Sequence, residues 1–266
     1  MQNDLISIIT VNYGNSAKIK KLWKSLKQNL SIKFEFIVVD NASPHNDAQN
    51  FDFLEKDSAS HLVKLSENIG FGGGNWEGSR FATGNILAII NPDIEIQTNC
   101  FEKLLSVLNN PQNNAGIVVP QLENPDGTLQ ENCRKFPSLS ELFLRRTFKT
   151  ENPLKKESLQ KESEFFPTQW AQGSFLVMKK EFFINTLKGF DPRFFLFLED
   201  TDLCRRTWEN DKRVLCVKSA RAFHGTTRLS GGTFFQVLRK KTFWIHVVST
   251  FKYFMKYLGH KKPKIK

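Results

Sequence analysis

Several features that mark other classes of protein are scarce or missing in this chain. Its four cysteines, among 266 residues, have neither CxxC nor mixed Cys/His spacing, which argues against a structural zinc site and a disulfide framework. No run of about 18 apolar residues occurs, so we expect no membrane-spanning helix. No basic and then apolar segment precedes the strand-like ISIITV, so we expect no secretion signal and a cytoplasmic protein.

Acidic residues are also missing after Asp211, whereas residues 212–266 hold 14 lysines and arginines. The first 211 residues carry 24 cations and 27 anions, so the net charge of +11 belongs to the C-terminal part. Such asymmetry is typical of binding to nucleic acid, anionic lipid or a diphosphate. From Phe234 to Leu258, apolar residues recur at helical spacing among basic ones. This predicts an amphipathic helix that lies on an anionic membrane surface, at the inner face of the cell membrane, or packs on the protein.

The first 120 residues alternate between apolar runs and helical patterns, which predicts an α/β fold with a mostly parallel central sheet flanked by helices. The predicted strands are Ser7–Val11, Phe34–Val39, His61–Leu65, Ile86–Ile90 and Gly116–Val119. The predicted helices are Ser16–Leu30, Asp47–Lys56, Gly74–Thr83 and Cys100–Asn109.

The second half of the chain starts with a charged, poorly patterned segment, residues 148–167, which predicts a mobile loop or lid. The elements predicted after it are strands over Gln169–Met178, Arg213–Val217 and Ala220–His224 and a helix over Lys180–Leu187. We predict one domain over residues 1–232, in two halves that divide at about residue 120. A basic helical extension, 233–266, follows it.

Polar residues come directly after several predicted strands, at the edge where open α/β sheets bind ligands. Asp40 could accept hydrogen bonds from a ribose or base, or form a local turn with its neighbours. Asp93 could bind a hard divalent cation that keeps waters or phosphate oxygens, although Asn-Pro-Asp is also common turn chemistry. His224 ends a strand-like run before a polar loop, so it is either a packing residue or a metal ligand.

The glycine-rich stretch GFGGGN follows the third predicted strand and opens a helix. Its spacing fits neither the Walker A motif nor GxGxxG, which disfavours a P-loop or Rossmann dinucleotide site. Glycines let a backbone approach a ligand, and a helix N-terminus favours an anion. A simple flexible turn is the alternative.

Three carboxylates, Glu199, Asp200 and Asp202, directly follow the aromatic run RFFLFL. A desolvated carboxylate has a raised proton affinity and can act as a general base near neutral pH. The alternative is an ordinary helix start, in which Asp200 caps the helix and Asp202 pairs with Arg206. Three acidic residues at a ligand edge argue against nucleic acid as a partner there.

Seven motifs in order carry a resemblance to a known family: VNYGNS, VVDNAS, ENIGFGGGN, INPD, the pair Trp170 and Gly173, GFDPRFFLFLEDTDLCRR, and FH. Over residues 5–245 the chain resembles the family 2 glycosyltransferases with a GT-A fold, closest to their rhamnosyltransferase-like branch. The resemblance implies an inverting transfer of a sugar from a nucleotide diphosphate, with a divalent cation (Mg²⁺ or Mn²⁺). The implied acceptor is a saccharide, lipid-linked, in bacterial surface polysaccharide (O-antigen or capsule) synthesis.

The implied donor is dTDP-rhamnose, with UDP-galactofuranose or a UDP-N-acetylhexosamine as the alternative. The alternative of another class is a non-catalytic basic protein that binds membrane or nucleic acid. Transfer needs one base and one metal, whereas a glycosidase would need two carboxylates that flank the bond.

The resemblance also implies a nucleotide-binding half to about residue 120 and an acceptor and catalytic half over residues 121–232, and it implies roles for individual residues. Asp200 matches the base, and Asp93 and His224 match the metal ligands, with Asn91 in place of the first carboxylate of DxD. The predicted donor-binding residues are Asn12, Asp40, Asn68, Gly70, Phe71, Gly72, Asn75, Asn91 and Arg134. The predicted residues on the acceptor side are Trp170, Gly173 and Glu199.

Overall fold

The computed structural model describes residues 4–138, 163–225 and 240–265. Within these ranges the strands are β1 Ile6–Asn12, β2 Phe34–Asp40, β3 Ser60–Lys64, β4 Ile86–Ile90, β5 Ile94–Ile96, β6 Ala115–Glu123, β7 Cys133–Arg134, β8 Phe165–Pro167, β9 Trp170–Ala171, β10 Phe175–Lys179 and β11 Arg213–His224. The α-helices are α1 Ser16–Asn29, α2 Asp52–Glu55, α3 Gly70–Phe81, α4 Cys100–Asn109, α5 Glu199–Glu209 and α6 Lys241–Lys256.

Nine strands form one sheet in the order β3-β2-β1-β4-β10-β6-β11-β5, with β8 paired to β11. The strands β3, β2, β1 and β4 are parallel, and β6 and β11 run in the same direction as these four. The strand β10 is antiparallel to both of its neighbours, β4 and β6. The predicted α/β class with a mostly parallel central sheet is therefore confirmed.

Helices cover both faces of the sheet because its strands are apolar on both sides. The helices α1 and α4 pack on one face, where Ile6 and Ile8 of β1 lie, and α3 and α5 pack on the other, where Ile9 lies. All three isoleucines are fully buried. The strands therefore hold their polar carboxyl ends at one edge of a rigid sheet.

Two helix predictions for the first half were wrong in detail. The helix predicted over Asp47–Lys56 is a 3₁₀ helix over Pro44–Phe51 followed by the single turn α2. The Asp47 carboxylate accepts hydrogen bonds from the backbone N–H and hydroxyl of Ser16, which holds this segment in its tighter turn. The helix predicted from Gly74 begins four residues earlier, at Gly70, and so includes the glycine stretch.

The strand predicted over Gln169–Met178 was also wrong, because it is interrupted between β9 and β10, where the N–H of Gly173 turns to Asp200. The strands predicted as Arg213–Val217 and Ala220–His224 are one strand, β11, with an irregular register at its centre.

The helix predicted over Lys180–Leu187 is a π-helical turn, Phe182–Thr186. The loop predicted over residues 148–167 was wrong at its end, where β8 pairs with β11. The rest of that loop, up to residue 162, lies outside the described residues.

The predicted C-terminal helix is present as α6, and the residues before it, 226–239, lie outside the described residues. No helix in the described part of the chain is long and apolar enough to span a membrane. The domain boundary predicted near residue 120 falls within β6, so the two proposed halves share one sheet.

Candidate active site

The carboxyl ends of the parallel strands bring most of the predicted site residues to one edge of the sheet. Asn12 ends β1, Asp40 ends β2, His224 ends β11, and Asn91 and Asp93 follow β4. Because β10 runs the other way, its start, preceded by Gly173, lies at the same edge. The predicted residues that these strands carry therefore lie along one edge of the sheet, although up to 212 positions separate them in the sequence.

The ends of β1 and β2 are joined by a polar network centred on Asn12. The Asn12 amide donates to Asp40 Oδ1 (2.8 Å), Ser43 Oγ (2.8 Å) and Asp47 Oδ2 (2.9 Å). Burial acts to raise the pKa of Asp47, but hydrogen bonds from Ser16 and Asn12 lower it below its ordinary value. Asp40 and Asp47 therefore present a fixed, acceptor-rich surface, and the sequence analysis missed Asp47 because it read that residue as the start of a helix.

The glycine loop is held by Asn41, a residue that the sequence analysis did not assign. Its amide nitrogen donates to Asn68 Oδ1 (3.0 Å) and to the carbonyl of Gly70 (3.0 Å), and its Oδ1 accepts from the N–H of Ile69 (3.0 Å). Asn68 in turn accepts from the N–H of Gly70 (2.9 Å). The position of Asn41, directly after Asp40, was the available signal.

The glycines in this loop serve packing within the protein. Gly70 has a φ of +82°, and a Cβ there would lie 2.1 Å from the carbonyl oxygen of Phe195. A Cβ on Gly72 would lie 2.8 Å from the Cβ of Phe190. The predicted donor residue Asn75 is fully buried, with its amide donating to the carbonyl of Phe71 (2.9 Å). Here the glycines let α3 approach the aromatic segment that precedes α5.

Asp93 and His224 face each other directly, and Asp93 Oδ1 lies 3.4 Å from His224 Nε2. The Nε2 of Gln130 donates to the His224 carbonyl (3.1 Å) and to Asn124 Oδ1 (2.8 Å), so the Oε1 of Gln130 is the acceptor for His224 Nδ1 (2.9 Å). A neutral His224 therefore has its proton on Nδ1 and directs the Nε2 lone pair at the carboxylate.

Two acceptors that face each other need a proton or a cation between them. Burial acts to raise the pKa of Asp93, but with a proton on Nε2 His224 donates a hydrogen bond that lowers this pKa below its ordinary value, and Lys18, whose Nζ is 3.7 Å away, lowers it further. One carboxylate oxygen and one imidazole nitrogen fit a divalent cation that takes its other ligands from water and phosphate oxygens. In the described residues no group of three or more His, Cys, Asp or Glu side chains is gathered for a metal. The pair therefore fits a cation held jointly with a phosphorylated ligand.

Asn91, the predicted replacement for the first carboxylate of DxD, donates its backbone N–H to the carbonyl of Ser174 (2.8 Å).

Asp200 is partly buried at the N-terminus of α5 and is positioned by its hydrogen bonds. Its Oδ2 accepts from the N–H of Gly173 (2.9 Å), and its Oδ1 accepts from the N–H (2.6 Å) and hydroxyl (3.2 Å) of Thr201. Burial raises the pKa of Asp200 above its ordinary value, although these hydrogen bonds and the charge of Arg134 oppose the rise. The structure thus provides an oriented carboxylate with increased basicity.

Glu199, next in the chain, is 4% exposed, and its Oε2 has no hydrogen-bond partner. Burial, followed by the negative charge of Asp200, raises the pKa of Glu199 well above its ordinary value. Because Asp200 has three donors while Glu199 has an unpartnered oxygen, the proton of this pair resides on Glu199. Glu199 therefore leaves Asp200 as the ionised member.

Asp202, the third carboxylate, is fully buried and saturated with partners. It accepts from Arg206 Nε (2.7 Å), as predicted, and also from the Tyr257 hydroxyl (2.7 Å) and the Lys256 ammonium. Lys256 also pairs with Asp191 (2.7 Å). Asp202 is thus a structural anion that fastens α6 to α5.

The backbone before α5 is unusual because Phe197 and Leu198 both have positive φ, 69° and 67°. Such conformations cost about 1–3 kcal/mol each for residues other than glycine. They end the aromatic segment abruptly and start α5 with Glu199 and Asp200 in its first turn.

Trp170 and Arg134 are adjacent in the short ribbon formed by β7 and β9. The Arg134 guanidinium lies 5.7 Å from the centre of the Trp170 ring, and Trp170 Nε1 donates to the carbonyl of Lys135 (2.7 Å). Since the charge of Arg134 also acts on Asp200, this ribbon borders the carboxylate.

The family model for glycosyl transferase family 2 matches residues 7–187, which is more than half of the chain. The protein belongs to glycosyl transferase family 2. The match spans the sheet edge with Asn12, Asp40 and Asp93 and ends before α5, so Asp200 and His224 lie beyond it.

Two curated relatives of this family 2 glycosyltransferase cover most of its length. The Rhamnosyltransferase WbbL of Escherichia coli (strain K12) is 26% identical over 262 residues, covering 94% of this chain and 92% of the relative. The N-acetylglucosaminyl-diphospho-decaprenol L-rhamnosyltransferase of Mycobacterium tuberculosis (strain ATCC 25618 / H37Rv) is 23% identical over 247 residues, covering 86% and 78%. The predicted likeness to rhamnosyltransferases is therefore confirmed.

Solved structures show that the fold is of the GT-A type. The mannosyltransferase PcManGT from Pyrobaculum calidifontis, in complex with GDP-Man and Mn²⁺, has a TM-score of 0.66 at 16% identity, with 97% of this chain and 65% of that chain covered. GalNAc-T7 with UDP, GalNAc and Mn²⁺ has a TM-score of 0.66 at 15% identity, with 84% of this chain and 43% of that chain covered. The glycosyltransferase therefore spans less than two thirds of either structure.

Proposed function

We propose that this glycosyltransferase moves L-rhamnose from dTDP-rhamnose to a hydroxyl of a lipid-linked saccharide, with inversion at the anomeric carbon. The observation that carries this proposal is the oriented Asp200 carboxylate beside Gly173, at the same sheet edge as the Asp93–His224 pair. The choice of sugar and acceptor is supported by the two curated relatives, which are named as rhamnosyltransferases, one of them acting on a diphospho-decaprenol saccharide.

In this mechanism Asp200 takes the proton of the acceptor hydroxyl as its oxygen attacks the anomeric carbon. A bond forms between that oxygen and the anomeric carbon, and the bond from carbon to the phosphate oxygen breaks on the opposite face. One base is enough, because the leaving diphosphate needs charge neutralisation rather than a proton. The raised pKa of Asp200 increases its driving force as a base while Glu199 stays neutral beside it.

The donor would bind along the edge from β1 to β4. Asp40, fixed by Asn12, accepts hydrogen bonds from the nucleoside, and the loop held by Asn41 lies beside it. Asp93 and His224 would hold a divalent cation, Mg²⁺ or Mn²⁺, which neutralises charge on the leaving diphosphate. Gln130 fixes the ring of His224 so that Nε2 of the imidazole faces Asp93 and the proposed cation.

A UDP-linked sugar, either galactofuranose or an N-acetylhexosamine, is the second donor candidate. It is supported by the solved structure of Staphylococcus aureus TarS 1–349 in complex with UDP-GlcNAc, which has a TM-score of 0.60 to this chain, at 13% identity. The structure covers 91% of this chain and 66% of that chain. With a lipid-linked acceptor, the enzyme would act in surface polysaccharide (O-antigen or capsule) synthesis at the cytoplasmic face of a membrane.

A donor screen on the full chain tests this proposal. Thermal unfolding is measured with dTDP, UDP and GDP, each with MnCl₂ and with excess chelator. At 100 times the dissociation constant, the binding nucleotide should stabilise the protein by about 2.7 kcal/mol. We expect dTDP with Mn²⁺ to give the largest shift in unfolding temperature. In a second assay, dTDP should be released from dTDP-rhamnose in the presence of acceptor. A shift with UDP alone would contradict the rhamnose proposal, and no shift with any nucleotide would contradict donor binding.

A further inference from the structure

Helix α6 has one face that packs on the domain. Ser249 and Tyr253, one helical turn apart, are 2% and 1% exposed. Ser249 Oγ donates to the carbonyl of Leu196 (2.8 Å), and Tyr253 packs with Phe194 and Tyr257 in a small apolar cluster. Together with the Lys256 and Tyr257 bonds to Asp202, these contacts fix the helix to α5.

The opposite face of α6 is apolar and exposed. Val247, Val248, Phe251 and Met255 are 39%, 48%, 66% and 53% exposed, and Leu258, in the turn after the helix, is 72% exposed. Their spacing of three and four residues places them on one stripe of the helix surface. Trp244, 56% exposed, continues this stripe by one turn. We name Val247, Val248, Phe251, Met255 and Leu258 the apolar stripe.

The surroundings of the apolar stripe are basic. Lys241 and Lys252 are exposed and lie beside it by helical spacing, and Lys261, Lys262 and Lys264 follow it in the exposed C-terminal segment. No acidic residue occurs anywhere after Asp211. This C-terminal segment combines a narrow apolar stripe with lysines and has no acidic residue of its own, so it complements an anionic lipid headgroup layer.

We propose that α6 is a membrane-docking helix that inserts the apolar stripe into the interface of an anionic lipid bilayer. The helix has 16 residues and is too short and too polar to span a membrane, so it lies in the plane of the interface. A second copy of the chain is a poorer occupant. Two such faces would bring lysines against lysines with no acidic partner from this segment.

The position of α6 makes docking relevant to the active site. Asp202, which accepts hydrogen bonds from α6, is two residues from Asp200 on the same helix. A bilayer that binds the apolar stripe is therefore attached to α6, and α6 is bonded directly to α5, which carries the proposed base. The proposal does not depend on the identity of the donor sugar, because lipid binding is measured without catalysis.

Co-sedimentation of the full chain with vesicles tests the docking helix. The vesicles contain either phosphatidylcholine alone or a mixture with phosphatidylglycerol, at low salt. We expect at least tenfold stronger partition into the anionic vesicles. The double variant Phe251→Gln/Leu258→Gln should lose at least tenfold of that partition, because its apolar contact is removed. Lys261→Gln/Lys264→Gln should lose roughly tenfold or more, with a weaker salt dependence.

Matched controls come from other surfaces of the same chain. Phe81 on α3 is 53% exposed, so Phe81→Gln changes an aromatic residue away from α6 that is also more than half exposed. Lys21 and Lys24 are exposed on α1, so Lys21→Gln/Lys24→Gln matches the change in charge. Both controls should bind anionic vesicles like the wild type, and all variants should keep their thermal unfolding temperature.

Three results would overturn the proposal. The first is equal binding to neutral and anionic vesicles. The second is a loss with the controls as large as with the α6 variants. The third is a stripe variant that converts a dimer to a monomer by light scattering while vesicle binding stays unchanged, which would assign the stripe to a second copy.

Discussion

Two carboxylate sites at the same sheet edge have opposite electrostatics. At the Asp93–His224 pair, burial is outweighed by a hydrogen bond from His224 and by the charge of Lys18, so the pKa of Asp93 is lowered, whereas at α5 burial prevails and raises the pKa of both Glu199 and Asp200. Asp93 has His224 of β11 and Lys18 of α1 as partners, while Asp200 is supplied mainly with neutral N–H and O–H donors. The difference shows that one sheet edge can hold one carboxylate with a lowered pKa and another with a raised pKa, which suits the proposed cation ligand and the proposed base.

Among the variants considered, Asp200→Asn is expected to have the largest effect on activity. The amide keeps the shape of the side chain but cannot accept the acceptor's proton, so kcat should fall by roughly three orders of magnitude. Donor binding, measured by calorimetry, should be nearly unchanged. Turnover above about a tenth of the wild-type value would exclude Asp200 as the base. Glu199→Gln is the matched control and should retain most activity, because Glu199 is already neutral.

Arg206→Met tests whether Asp202 stabilises the fold rather than takes part in catalysis. Asp202 is fully buried and would lose a charged partner at 2.7 Å, so the free energy of unfolding should fall by about 3 kcal/mol. Denaturant unfolding measures this loss. Arg193→Met is the control, because the side chain of Arg193 is 56% exposed and its pair with Asp191 should contribute less than about 1 kcal/mol. Equal losses in the two variants would contradict the role given to Asp202.

Asp93→Ala and His224→Ala test the other carboxylate site, the Asp93–His224 pair. Each should weaken nucleoside diphosphate binding in the presence of Mn²⁺ by roughly 10–100-fold, while binding of the nucleoside alone stays unchanged. Gln130→Leu should have a smaller effect of the same kind, because it releases the ring of His224. Isothermal titration with both ligands separates the cases. Full activity in excess chelator would refute the proposed metal.

Glu199→Gln is expected to have the smallest effect on catalysis and a distinctive effect on stability. The pKa of Glu199 is raised in the folded protein, so above its ordinary value of 4.5 the unfolded chain releases a proton that the folded chain retains. Wild-type stability therefore falls as the pH rises from 4.5 towards the folded pKa, with a slope of at most about 1.4 kcal/mol per pH unit. The variant should lack this contribution and match the wild type below that pH. Identical curves from pH 4 to 7 would show that Glu199 is ionised.

The strands β1 to β4 could be predicted within one residue because each is a short apolar run that ends in a polar turn, whereas β6 extends four residues beyond its predicted end at Val119. The residues at their ends, Asn12, Asp40 and Asp93, could be placed at one edge because parallel strands end on the same side. The hydrogen bond from Gly173 to Asp200 and the acceptor role of Gln130 could not be predicted from the sequence. Each depends on contacts between segments that are distant in the chain, and no local pattern records them.

The same limit applied to the acidic motif. A pattern of three adjacent carboxylates does not show that Asp202 is bonded to Lys256, 54 residues further on, while Glu199 lacks a partner for one oxygen. The three residues therefore differ because of what packs on them, and only the pairing of Asp202 with Arg206 has the helical spacing that a sequence reveals.

The central strand of the sheet is one of the last to be synthesised. β10 separates β4 from β6, yet it begins at residue 175, long after both of its neighbours have left the ribosome. Until then the nascent chain has three unpaired strand edges, one on β4 and both on β6, because β10 and β11 come later in the sequence. These edges are open to incorrect pairing. The Asp93–His224 pair forms later still, because His224 must join a sheet that β10 has closed. Folding of this protein should therefore be slow, late in synthesis and sensitive to chaperone supply, and its active site should appear only when the sheet is complete.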